Sequence, residues 1–116
     1  MLMHELTVVS NIFKIILQTA KNNNLSKISK INIKVGRQRH LAPDLMEFAF
    51  NSVSKNTIAA GASLAIERVD IRMRCSSCGL DFVVGDNTYL CISCGSPKLE
   101  TISGKDLLIE SIEGEL

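Results

Sequence analysis

Apolar residues near the start of the chain recur at steps of three and four. Leu6, Val9, Phe13, Ile16, Leu17 and Ala20 mark one stripe, and Val8, Ile12 and Ile15 broaden it. That spacing predicts an amphipathic helix over residues 4–22. Glu5 sits in its first turn, where a negative charge complements the helix dipole. Asn22, Asn23 and Asn24 end the pattern. The period then changes to two. Ile31, Ile33 and Val35 alternate with Lys30, Asn32 and Lys34, predicting a strand over 28–35 that Gly36 stops. Arg37 to His40 read as a polar loop.

Pro43 suits the first position of a second helix, with Leu45, Phe48, Ala49 and Val53 as its expected apolar stripe. A second strand is predicted over 63–73, but its phase is inconsistent. Leu64 and Ile66 share one parity, whereas Val69, Ile71 and Met73 share the other. Because a slip of one residue exchanges the two faces of a strand, either a bulge near Glu67–Arg68 is expected or a strand that leaves one sheet for another. A last strand is predicted over 106–113, with Leu107, Leu108, Ile109 and Ile112 available for burial. Alternating helices and strands allow a parallel pair around the second helix.

Between the last two of these strands lies Cys75-Ser-Ser-Cys78-Gly79, then Cys91-Ile-Ser-Cys94-Gly95. Two residues between cysteines let one tight knuckle aim both sulfurs at one ion. The glycine after each pair permits the turn. Two knuckles complete a sulfur tetrahedron, the coordination that suits structural Zn²⁺, so Cys75, Cys78, Cys91 and Cys94 are expected to bind zinc. Residues 82–84 and 98–102 are expected as short ribbon strands. An iron centre of the rubredoxin type or a dithiol redox pair uses the same residues. A second pair so close makes redox work by one Cys-x-x-Cys a poor fit. Nucleic-acid binding wants clustered Lys and Arg, and there is neither between Cys75 and Cys94.

The expected fold is therefore α+β: two helices packed on a small three-stranded mixed sheet, with an inserted four-cysteine zinc ribbon. Residues 1–72, completed by 103–116, form the α/β domain, and 73–102 the ribbon.

Bulk properties narrow the function. The formal net charge is +1, and four thiolates around one Zn²⁺ make it +1 − 4 + 2 = −1. Neither value is an electrostatic footprint for nucleic acid. No apolar run approaches the ~20 residues that span a membrane, and the first residues lack a secretory pattern. With all four cysteines clustered, reduced thiolates in the cytoplasm are the expectation. There is no G-x-S-x-G, no phosphate-binding loop, no H-E-x-x-H and no nucleotide fingerprint, so no enzyme is expected.

The chain has two histidines, His4 and His40. Such residues are usually just solvated. A histidine near a free amine also chelates Ni²⁺ or Cu²⁺ through amine, backbone amide nitrogens and imidazole, and planar nitrogen ligation suits Ni(II). His40, before Pro43, is a further candidate ligand.

Met3-His4-Glu5-Leu6 opens the first helix, and the paired Cys-x-x-Cys precedes the final strand. With Val35-Gly36, Ala42-Pro43-Asp44-Leu45-Met46-Glu47-Phe48-Ala49-Phe50 and Ser103-Gly104-Lys105-Asp106-Leu107, they resemble the HypA/HybF family over essentially the whole chain. The resemblance implies a nickel metallochaperone for [NiFe]-hydrogenase maturation. It would carry Ni²⁺ as transient cargo beside structural Zn²⁺, and work with the maturation GTPase HypB and the hydrogenase large subunit. It implies a nickel site on the Met-His-Glu start, here Met3, His4 and Glu5. Two features depart from the family pattern: Met1-Leu2 precede Met3, and Arg37 follows the strand-ending glycine where many members have Glu. The alternative reading is a zinc-ribbon adaptor between proteins, with no nickel site.

Overall fold

A computed structural model describes residues 2–85 and 89–116, without the side chains of Leu2 and Met3. The elements run α1 (Leu2–Asn22), β1 (Lys27–Gly36), a 3-10 turn (Arg37–Arg39), α2 (Pro43–Val53), β2 (Ser63–Val69), β3 (Arg72–Cys75), β4 (Asp81–Val83), β5 (Leu99–Ser103) and β6 (Leu107–Glu115). Two three-stranded sheets result, ordered β2-β1-β6 and β4-β3-β5. The fold is α+β, two helices with a small mixed sheet, as expected. The chain divides into two compact units. One is Met1–Ile33, Leu41–Glu67 and Leu108–Leu116. The other is Lys34–His40 with Arg68–Leu107.

In the first unit, α1 packs against α2. Val9, Ile12, Phe13, Ile16 and Ala20 are buried, as the three-and-four spacing requires. Ile15, expected on the same face, is 56% exposed because it lies beyond the edge of the stripe. The second helix differs more. Its buried residues are Met46, Ala49 and Phe50, whereas Phe48 is 63% exposed. Positions 46, 49, 50 and 53 satisfy the same helical spacing as 45, 48, 49 and 53, so periodicity alone does not choose between them. Phe50 decides it. Its ring meets Phe13 edge to face, with centroids 5.8 Å apart and planes at 76°, the geometry favoured by ring quadrupoles.

Ile31, Ile33 and Val35 of β1 are all buried, as their alternation requires. β6 runs antiparallel to β1: the Ser26 amide donates to Glu115 O and the Gly36 amide to Asp106 O. β6 is an edge strand, and Leu108 stays exposed on it.

The phase conflict in residues 63–73 resolves by a change of sheet. β2 stays in the first sheet with Leu64 buried. After Asp70–Ile71 the chain enters the second sheet, where Ile71, Met73 and Cys75 are buried. The break falls a few residues beyond Glu67–Arg68. β3 then pairs antiparallel with both β4 and β5, with a register irregularity at Arg72/Met73.

In the second unit, Gly36 and Gly104 allow two backbone segments to touch. Gly104 has φ +93°, and a Cβ there would stand 2.6 Å from Ile71 Cα. The Gln38 amide donates to Gly104 O, and Arg37 Nε donates to Asp70 Oδ1 at 2.8 Å. These bonds tie residues 34–40 to the β3–β5 unit.

Phe50→Ala is expected to lower unfolding free energy by about 3–5 kcal/mol in urea titrations, through lost burial and an unfilled cavity. Gly104→Ala is expected to cost on the order of 1–3 kcal/mol from backbone strain, before any clash with Ile71 is added. A loss below 0.5 kcal/mol in either variant contradicts this packing.

Candidate metal centre

The cysteine module consists of two turns built alike. In the first, the Cys75 amide donates to Leu80 O at 2.9 Å, and the Gly79 amide to Cys75 O at 2.8 Å. In the second, the Cys91 amide donates to Ser96 O and the Gly95 amide to Cys91 O, both at 2.9 Å. Gly79 and Gly95 have φ +79° and +75°, a conformation glycine adopts without steric cost. Each turn thus carries its two sulfurs to one side.

All four Sγ atoms lie within 4.8 Å of one another. Cys75 Sγ is 3.6 Å from Cys94 Sγ, and Cys78 Sγ is 3.6 Å from Cys91 Sγ. A disulfide would bring sulfurs to about 2.05 Å, so these are free thiols. A regular tetrahedron with metal–sulfur bonds of about 2.3 Å has sulfur–sulfur edges of about 3.8 Å. The cluster matches that size, and the four residues can hold a metal.

The electrostatics favour metal binding. Backbone N–H groups of Cys78 and Ser77 lower the Cys75 thiol to about 6. Cys91 is lowered in the same way by the amides of Cys94 and Ser93. The Leu80 amide also lowers Cys78, but the neighbouring sulfurs, Cys91 foremost, outweigh it and push that thiol up to about 12. Cys94 is likewise raised, by Cys75 and Cys91 against the Ser96 amide. The two buried sulfurs ionise readily, and the two exposed ones resist adding a third and fourth negative charge. A bound cation removes that conflict, because thiolate ligation displaces the remaining protons. Ser77 Oγ and Ser96 Oγ, 3.0 Å apart, link the two turns.

The other predicted site residues lie elsewhere. His4 is exposed in the first turn of α1, and His40 is exposed with φ 53° after the 3-10 turn. Glu5 is 1% exposed. Its Oε2 accepts a hydrogen bond from the Ala42 amide at 2.9 Å, and that bond holds its carboxyl below the ordinary range. Sequence reasoning treated Glu5 by its side chain and its helix position alone. Its main-chain partner has no sequence pattern. The available signal was indirect: Ala42 precedes a helix-starting proline and offers no side-chain cap. Met1, whose amine enters the chelate argument, is outside the described residues. Among the described residues, no helix is long and apolar enough to cross a membrane.

Comparison with known proteins gives a consistent answer. A family model described as "Hydrogenase/urease nickel incorporation, metallochaperone, hypA" matches residues 3–114. The hydrogenase maturation factor HypA of Aquifex aeolicus is 32% identical over 114 residues, covering 98% of this chain and 99% of that protein. HypA of Dehalococcoides mccartyi is 34% identical over 111 residues, covering 96% and 93%. The solution structure of the nickel metallochaperone HypA from Helicobacter pylori shares the fold, with a TM-score of 0.69 at 22% identity over 96% of this chain and 97% of that one. Matched along nearly its whole length, with four clustered thiols where the sequence spacing put them, this chain belongs to the HypA family of nickel-incorporation metallochaperones, which are maturation factors and not enzymes.

Proposed function

We propose that this protein carries Ni(II) to [NiFe]-hydrogenase during its maturation, taking nickel at His4 and Glu5 and holding a structural Zn(II) on Cys75, Cys78, Cys91 and Cys94. The observation that carries the reading is the family match from residue 3, together with an exposed His4 in the first turn of α1. The opening N–H groups of a helix have no intrahelical acceptor. Backbone nitrogens beside His4 are therefore available, and imidazole with such nitrogens makes the planar set that suits Ni(II). In this reading Glu5 contributes its own backbone nitrogen. Ligands at a helix end can be exchanged one at a time, as transient cargo requires.

Zinc is favoured at the cysteines because four thiolates close the coordination sphere and leave no position for a substrate. A closed site suits support of the second unit better than cargo exchange. The partners in this reading are the maturation GTPase HypB and the hydrogenase large subunit, in the cytoplasm, where thiols stay reduced.

Calorimetric titration of Ni²⁺ into the zinc-loaded chain is expected to show a site that His4→Ala abolishes. Equal binding by both proteins, or none by either, would replace the nickel carrier with the adaptor reading. Cys78→Ser is expected to remove about one zinc per chain in elemental analysis, and excess chelator to lower the melting temperature of the unsubstituted protein. Zinc retention against a competing chelator is also expected to fall as pH drops below neutral, because protons then compete for the four thiolates. Retention independent of pH from 7 to 5 contradicts thiolate ligation.

A further inference from the structure

α2 begins without the usual means of capping. Its N-cap residue is Ala42, whose side chain accepts nothing, and Pro43 and Asp44 follow. In a capping box the third helical residue is Glu or Gln and reaches back to the N-cap amide. Here that position is Leu45. Glu5 of α1 supplies the missing acceptor from another element: Oε2 lies 2.9 Å from the Ala42 nitrogen, on a side chain that is almost wholly buried. The first turn of one helix thus closes the first turn of the other.

Glu5 directly follows His4. In a helical turn successive N–H groups run nearly parallel to the axis. Nitrogens that chelate one ion must instead converge on it. Capture of Ni(II) by the His4 imidazole and the adjoining backbone nitrogens, with amide protons released to water, therefore rotates the backbone at residues 4 and 5. The Glu5 side chain swings with its own Cα.

We propose that the Glu5 carboxylate is a positioning residue that nickel displaces: it holds the Ala42 amide in the unloaded protein and lets go when nickel binds, so that nickel occupancy is transmitted to the start of α2. This rests on the nickel reading above. The side chain of Glu5 is then a competitor of nickel and not a ligand to it. By linkage, whatever weakens the Glu5–Ala42 bond tightens nickel binding by the same factor.

Ala42→Pro provides a direct test. It deletes the amide donor while leaving His4 and Glu5 intact, and Ala42 already has φ −83°, near the proline value. In calorimetry on zinc-loaded full chains, Ala42→Pro and Glu5→Ala are each expected to bind Ni²⁺ about three- to tenfold more tightly, the factor matching one hydrogen bond of ordinary net strength. In the unsubstituted protein, stoichiometric Ni²⁺ is expected to speed hydrogen exchange at the Ala42 amide by a similar factor. That measurement needs no variant to fold. Weaker nickel binding in Glu5→Ala would make the carboxylate a ligand and overturn the proposal, as would an Ala42 amide indifferent to nickel. If His4→Ala also leaves nickel binding unchanged, the carrier reading itself has failed. If His4→Ala abolishes binding and Ala42 does not respond, only the displacement has.

Discussion

Four cysteine sulfurs within 4.8 Å of one another are the strongest constraint in the molecule. As four thiolates they repel, and as four thiols they join the two turns only through weak sulfur contacts at 3.6 Å. The chain around them has little else to rely on. The buried cluster of the second unit is Ile71, Met73, Cys75, Phe82 and Cys91, with Val84 and Leu99 packed against it. Two of its five buried members are metal-ligand candidates. A core that small does not sustain a separate unit by hydrophobic burial alone. A bound cation would turn that mutual repulsion into cross-linking of the knuckles and the short strands.

The first unit is held by different means. Its helices bury continuous apolar stripes, and its sheet is covered on β1 by Ile31, Ile33 and Val35. Hydrophobic area therefore supports it, without a metal. That independence suits the proposed carrier role: nickel held at the first turn of α1 would enter and leave without unmaking the core of the unit. Glu5 is where these demands meet, since it is buried as a core residue is, yet adjoins the residue proposed to hold nickel.

The lack of positive charge between the knuckles fits the same division of labour. No Lys or Arg lies between Cys75 and Cys94, so nothing there attracts a nucleic-acid backbone. Exposed Leu90 and Ile92 instead leave the knuckle region apolar.

The sequence by itself determined the local elements and the cysteine cluster. Cys-x-x-Cys-Gly spacing specifies a knuckle through bonds within five residues, and two such knuckles bring four sulfurs to one place. Periods of 3.6 and 2 likewise located α1 and β1, because one-sided burial leaves a periodic trace. Tertiary structure decided what periodicity leaves degenerate. Two stripes fit α2, and the Phe13–Phe50 contact selected the one that leaves Phe48 in water. The conflicting phases of residues 63–73 announced a discontinuity, but only pairing partners showed that β2 and β3 belong to different sheets. Residues 34–40 joined the second unit through Arg37, Gln38 and Gly36, bonds made across more than thirty positions. The pairing of Glu5 with the Ala42 amide is of the same kind. A backbone N–H is present at nearly every residue, so the sequence carries no mark of which one a buried carboxylate will find.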